Sequence, residues 1–249
     1  MASLDRAHRV LAEAEQLARK HHAQYDPSHD FLHVTRVRGL ALSIARSLPG
    51  HPRVDLVVVH LASLFHDLLD KKYLPRDKPV PSAREHLAPF WSAFSQDQVA
   101  DEQRRLVERV VENVSYSKEV KRIAEGGQAE WHLTCLELHC VQDADKLDAM
   151  GAFGIMRCSA YSALTNRPLY LPPSPSPSSP ASADDAAPQQ QQQQQDNSAI
   201  AHFHDKLFHL ESMIKTPRGR VLAKKRAETL RRFVDETERE WREAEEGLV

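Results

Sequence analysis

The sequence predicts an all-α fold, on three observations. Apolar residues recur every three to four positions in segment after segment. Stretches of strict apolar–polar alternation, the mark of half-buried strands, are few. Only 8 glycines occur in 249 residues, which also points towards helix. The length fits one good-sized domain or a domain carrying an insertion. With 41% hydrophobic residues the chain can bury a real core.

The first helix spans roughly Leu4 to His22, where Val10, Leu11, Ala14, Leu17 and Ala18 recur among charges. Tyr25-Asp26-Pro27-Ser28 breaks it, and Ser28 or Asp30 can cap the next helix. That second helix, about Asp30 to Ser47, sets Val37, Leu40, Ala41, Ile44 and Leu48 on one face. His33, four residues before Val37, points to the same side. Leu48-Pro49-Gly50 ends it. The run from Val54 to about Asp70 is apolar nearly all the way round, the pattern of a buried helix. Tyr73 to Pro81 is a loop with three prolines, and Pro81-Ser82-Ala83-Arg84-Glu85 starts another helix. Ser95-Gln96-Asp97-Gln98 is read as the cap of a helix from about Val99 to Val114. Its stripe is Val99, Leu106, Val107, Val110 and Val111.

Cys135 to about Ser162 reads as helical. Leu171 to Gln195 is Pro/Ser/Ala-rich and ends in seven glutamines. Such a segment cannot bury enough apolar surface to offset its ordering entropy. It is expected to be a disordered insertion, at about 171–197, in a single domain spanning 1–249. Helices resume at about Ser198. The last is expected to turn Val221, Leu222, Leu230, Val234 and Trp241 inward.

Composition excludes several classes. A formal net charge of −2 lacks the basic excess of a general nucleic-acid binder. Cys135, Cys140 and Cys158 are an odd number with no CxxC pairing, which favours a reducing compartment. No run offers the roughly 18 uncharged apolar residues of a membrane helix. The N-terminus lacks a signal-peptide core. A cytoplasmic location is expected, the nucleus being the other option the sequence allows.

Within the buried run lie His66 and Asp67, an ionisable pair that is costly to bury unless it is hydrogen-bonded or metal-bound. His33 opens the second helix, and Asp145 lies in the acidic cluster Gln142-Asp143-Ala144-Asp145-Lys146-Leu147-Asp148. Imidazoles and carboxylates together suit a divalent ion: Mn, Fe, Ni or Zn, or Mg where water fills more positions. On an α-helix His66 and Asp67 are about 100° apart and could share an ion lying in the wedge between them. The bland reading of any single one is a satisfied core histidine or a chance dipeptide, and His29-Asp30 and His204-Asp205 occur as well. His60, His86, His132, His139 and His202 are read as structural. Trp91 and Trp131 are read as core or rim. The His21-His22 pair and the cluster Lys224-Lys225-Arg226 are read as surface.

Three stretches carry a family resemblance. His29-Asp30-Phe31-Leu32-His33-Val34-Thr35-Arg36-Val37, Phe65-His66-Asp67-Leu68-Leu69-Asp70-Lys71-Lys72-Tyr73 and Val141-Gln142-Asp143-Ala144-Asp145-Lys146-Leu147-Asp148-Ala149-Met150-Gly151-Ala152 resemble the motifs of the HD superfamily of metal-dependent phosphohydrolases. His202-Phe203-His204-Asp205-Lys206-Leu207 is similar to one compact branch that includes nucleoside triphosphate pyrophosphohydrolases. The resemblance covers most of the chain outside the insertion. It implies an HD-domain helical bundle and metal ligation by His33, His66, Asp67 and Asp145.

Around those four, Asp148 and Asp143, with Asp145 itself, are candidates to orient or deprotonate the attacking water, and Asp70, three residues after Asp67, is a further catalytic candidate that would orient the ligands. Arg36, Lys71, Lys72 and Lys146 are placed to meet phosphate oxygens, the alternative being a solvated charged face. The expected substrate is a small phosphate compound, a nucleotide above all, with no nucleic-acid or membrane partner. Two other classes compete: a nucleotide-sensing module without activity, and a di-iron oxygenase on the same fold. The oxygenase would need extra His ligands between the second and last motifs, where only His86, His132 and His139 lie.

Overall fold

The most apolar stretch of the sequence lies at the centre of the molecule. In the computed structural model, which describes residues 2–50, 54–70, 79–172 and 196–248, with side chains from Ala7 onward, this stretch is α3 (Leu56–Phe65). Eight of its ten residues are buried. Around it pack α1 (Ala2–His22), α2 (Phe31–Ser47), α5 (Asp101–Asn113) and α8 (Leu136–Asp148). A hydrophobic cluster from Ala7 to Val234 runs through the whole bundle. The described residues contain helices and no strand.

Local chemistry sets the ends. Asp30 caps α2 by accepting from the His33 amide, and Asp55 caps α3 by accepting from Val57 and Val58. Ser82 and Glu85 form a capping box at α4 (Ala83–Trp91). Thr216 caps α11 (Pro217–Glu246), with a proline at the first position.

Several expectations shift. The third helix stops at Phe65 rather than Asp70, so His66 and Asp67 sit on the tight turns that follow it. These turns close through Leu68 N to Phe65 O and Asp70 N to Asp67 O, each 3.1 Å. The helix expected over 135–162 is two helices, α8 and α9 (Gly151–Leu164). Gly151 makes the break at φ +69°, and a Cβ there would lie 3.0 Å from Cγ of Arg226. Arg226 itself, read as solvated, is half-buried and donates to the Leu147 carbonyl. The cap of α5 is Ala100, with Ser95 and Gln98 bonded to each other before it. On α11 the inward stripe is Ala223, Ala227, Leu230 and Val234. Val221 lies about 200° round the helix from Ala223 and is exposed. Trp241 is 38% exposed and packs on Tyr170 at 5.4 Å. His22 is buried, its Nδ1 2.9 Å from the His29 carbonyl. Three short elements went unread: α6 (Tyr116–Ala124), α7 (Glu130–Thr134) and the 3₁₀ segment Leu207–Met213. The last follows α10 (Ala199–Asp205).

The insertion falls almost wholly on residues 173–195, outside the described residues. Its flanks are pinned together: Ala199 N donates to Pro168 O at 2.8 Å, and Ile200 N to Leu169 O at 3.1 Å. A chain that leaves and returns at one place can be shortened at small entropic cost. Replacing 173–195 by a short Gly-Ser linker is expected to shift the melting temperature by a few degrees at most and leave metal content unchanged. A large fall in either would show that the segment supports the bundle.

Burial pushes the pKa of His60, on α3, down to about 4, with the charge of Arg38 adding to the effect. The ring titrates near 6.5 when unfolded. Between about 6.5 and 4 the unfolded chain therefore binds a proton that the native chain refuses, and stability falls as pH falls through that window. Melting temperature is expected to drop from about pH 7 to about pH 5, and to drop less for His60→Gln. An identical slope in the variant would place the loss elsewhere.

Candidate metal and phosphate site

Three elements converge on one point. The first turn of α2, fixed by its Asp30 cap, presents His33; the turn after α3 presents His66 and Asp67; α8 presents Asp145. Nε2 of His33 lies 3.1 Å from Nε2 of His66, 3.4 Å from Oδ2 of Asp67 and 3.7 Å from Oδ1 of Asp145. Nε2 of His66 lies 3.4 and 3.8 Å from the same two oxygens. Both rings are buried.

The far side of each ring decides its tautomer. Nδ1 of His66 is 2.8 Å from the Ser63 carbonyl, which can only accept, so this nitrogen carries the hydrogen. Nδ1 of His33 is 2.8 Å from Oδ2 of Asp148 and donates to that carboxylate. In its neutral form each ring aims a bare Nε2 lone pair at the other beside two carboxylates, an arrangement that takes up a cation, whether a proton or a metal ion. Burial disfavours a proton on His66, but the Asp67 carboxylate, with help from Asp145 and Ser63, outweighs it and raises the pKa to about 9. Asp67 in turn stays far below the usual carboxylate range, the two histidines overcoming its burial. A divalent ion with bonds of about 2.0–2.2 Å sets neighbouring ligand atoms roughly 3–4 Å apart, and all five distances fall there. The donor set fits a metal, and His33, His66 and Asp145 alone offer a compact group for one.

Behind His33 sits Asp148, its side chain 1% exposed. Arg36 grips it through Nε at 2.7 Å and Nη2 at 3.0 Å, and Arg157 through Nη1 at 3.2 Å. Burial would raise its pKa. The bonds from His33 and Arg36 and the charge of Arg157 win and hold it well below the usual range. In front of the ligands opens a cavity of about 480 Å³, onto which His66, Asp67, Asp70 and Asp145 face together with Lys118, Lys121, Lys146, Lys206 and Arg157. Its apolar wall includes Val80, Val111, Val114 and Leu210.

A family profile described as HD domain matches residues 30–150. Residues 30–150 carry an HD domain. That family is one of metal-dependent phosphohydrolases. The HD chain is similar to the uncharacterized protein YpgQ of Bacillus subtilis, with 29% identity over 212 residues, 85% of this chain and 84% of YpgQ. The crystal structure of YpgQ in complex with ADP superposes with a TM-score of 0.63 at 26% identity, covering 92% of this chain and 97% of that one. A Lactobacillus plantarum crystal structure gives a TM-score of 0.67 at 27% identity, covering 94% and 97%. None of the described helices is long and apolar enough to cross a membrane.

The residues expected around the four candidate ligands part company. His33, His66, Asp67 and Asp145 come together. Asp70 reaches the cavity. Asp148 does not: it holds His33 from behind. Asp143 is turned away altogether, accepting from the amides of Lys215 and Thr216 and from the Thr216 hydroxyl, and so fastens the start of α11 to α8. Arg36 is committed to Asp148 and stacks over Phe153 at 4.2 Å, so it is not among the cavity cations. Lys146 lines the cavity but is buried and paired with Glu119 at 2.6 Å. Lys71 and Lys72 lie outside the described residues.

Two residues escaped the sequence reading. Arg157 carried a signal, as the sole charged residue in the 14 of α9. Glu119, buried between Lys146 and Lys215, carried none.

Proposed function

We propose that this HD protein hydrolyses nucleotide phosphoanhydrides, with a nucleoside triphosphate giving monophosphate and pyrophosphate. The observation that carries the reading is the pair of facing imidazole Nε2 atoms beside two carboxylates, opening on a cavity walled by lysines. Its volume of about 480 Å³ lies within the range of about 300–1,000 Å³ usual for ligand sites. The similar YpgQ binds ADP, which supports a nucleotide here.

The four ligands would hold one divalent ion, of a kind the donor set leaves open among Mn, Mg, Fe, Ni and Zn. When bound, such an ion polarises a phosphoryl oxygen and lowers the pKa of an attached water. The chain supplies the rest. Asp148 keeps the His33 hydrogen on Nδ1 and the Nε2 lone pair forward. Asp70 lines the cavity beside Asp67 and Asp145 and is placed to take the proton. Lys118, Lys121 and Lys206 balance charge on phosphate oxygens, and the apolar wall covers the nucleoside. His132 and His139 do not extend the ligand set toward an oxygenase: they bond to Asn113 and to the His132 carbonyl.

A screen of nucleotides with several divalent ions in ¹⁸O-water tests this. Label is expected in a nucleoside monophosphate released with pyrophosphate. Label in orthophosphate alone would make the protein a phosphatase. Oxygen consumption with iron and no phosphate product would overturn the hydrolase reading.

A further inference from the structure

A second cavity, of about 120 Å³, adjoins the first and shares His29, Ala149, Arg157 and Lys206 with it. We propose that this cavity seats the terminal diphosphate of a nucleoside triphosphate, and that Arg167 is the residue that recognises it. The proposal deepens the nucleotide reading above and rests on it.

Charge separates the two cavities. The large one faces Asp67, Asp70 and Asp145 as well as cations. The small one is lined by Arg157, Arg167, Lys206, His29 and His202, and by no Asp or Glu. Arg157 is shared with Asp148 behind it, but the lining itself holds three permanent cations and no acid, which favours an anion. Size narrows the choice, since about 120 Å³ is well short of the roughly 300 Å³ at which sites for larger organic ligands begin. A compact phosphate group suits it; a nucleoside does not.

Position ties the cavity to the chemistry. The His29 ring lies 6.2 Å from the His33 ring and 6.2 Å from the Tyr161 ring, so the small cavity begins one side chain from the metal ligands. Arg157 is bound to Asp148, the partner of His33, and to the Ser28 carbonyl, so it forms a fixed wall between the two spaces. Arg167 is aimed by the turn that ends α9. Asn166 adopts φ +53°, uncommon for a non-glycine residue, and Arg167 N donates to Ser162 O at 2.8 Å. That turn brings the guanidinium back over the Tyr161 ring at 5.7 Å. Arg167 makes no ion pair among the described residues, which leaves its planar fork available to phosphate oxygens.

The arrangement fixes the bond that breaks. With the two terminal phosphates beyond His29, the α-phosphorus stays at Asp67 and Asp145. Water oxygen bonds to that phosphorus, and the bond from it to the bridging oxygen breaks. The electron pair leaves on pyrophosphate beside Arg157, Arg167 and Lys206, and the water proton passes to a cavity carboxylate. The products are nucleoside monophosphate and pyrophosphate.

Calorimetry on the manganese-loaded protein tests the assignment with inorganic pyrophosphate and a nucleoside monophosphate as probes. A charge-assisted contact of this kind corresponds to about 10- to 100-fold in affinity. Arg167→Ala is expected to weaken pyrophosphate by that factor, Arg167→Lys by less, with metal content and monophosphate affinity held within about twofold. In turnover the same Ala change is expected to raise KM for the triphosphate. Pyrophosphate affinity unchanged within about twofold, or equal weakening of both probes, would overturn the proposal. The binding arm stands apart from the functional reading: a wild-type protein that turns over no nucleotide refutes the hydrolase assignment, while Arg167-dependent pyrophosphate binding in that protein would still uphold the subsite.

Discussion

Replacing Asp67 by alanine is expected to abolish metal retention and turnover together. Its Oδ2 lies 3.4 Å from both ring nitrogens, nearer to each than Asp145 Oδ1 at 3.7 and 3.8 Å. It is also the chief charge that offsets burial at His66. Losing a ligand and that charge removes several kcal/mol of binding, and a loss of about 4 kcal/mol in transition-state stabilisation is roughly 10³-fold in rate. The fold should survive, because Asp67 sits on a turn with its side chain 16% exposed. Metal analysis, kcat/KM and melting temperature separate these effects. An Asp67→Ala protein that kept full metal and activity would put the site elsewhere.

Asp148→Asn is expected to damage both stability and the metal. The sequence places Asp148 one turn after Asp145, on the same face, and suggests a carboxylate that handles water. The structure turns it to the back of His33, between Arg36 and Arg157. An amide there leaves two largely covered guanidinium groups without a counter-charge. Breaking such a pair typically costs about 3–5 kcal/mol. Both arginines keep some access to water, so the low end applies, a melting-temperature fall of roughly 6–12 °C. The amide can also present its NH₂ to His33 and displace the hydrogen from Nδ1, which weakens metal binding by about 10- to 100-fold. Metal titration with melting curves checks both. Loss of turnover with metal affinity and stability intact would restore a direct role in the reaction.

The convergence of His33, His66, Asp67 and Asp145 was legible chiefly through the stretches that resemble the HD motifs, with the cost of burying a His-Asp pair pointing the same way. A His-Asp pair in an otherwise apolar run has few favourable environments, and the turn after α3 places this pair beside His33 and Asp145. The helical periods of α1, α2 and α5 were legible because one face of each meets the core. What stayed hidden came from long-range pairing. On α6 the usual pattern is inverted: Val120 and Ile123 are 39% and 51% exposed, while Glu119 is 2% exposed and meets Lys146 and Lys215 from α8 and the start of α11. No local rule buries the glutamate and exposes the valine; the partners lie far off in sequence. Asp143 misled in the same way. Its acidic neighbours suggested catalysis, yet the amides 72 and 73 residues downstream claim it. The break between α8 and α9 turns on Gly151 at positive φ against Arg226, again a distant contact. His66 and Asp67 lie on turns rather than on a helix, and there the His66 Nε2 and Asp67 Oδ2 atoms come within 3.4 Å of each other.

Anomalous diffraction from a manganese-soaked crystal is the most direct test of the metal centre. The expected result is one strong peak within bonding distance of His33 Nε2, His66 Nε2, Asp67 Oδ2 and Asp145 Oδ1, facing the large cavity. A fully loaded crystal with its peak away from these four atoms, or with no peak, would contradict the account.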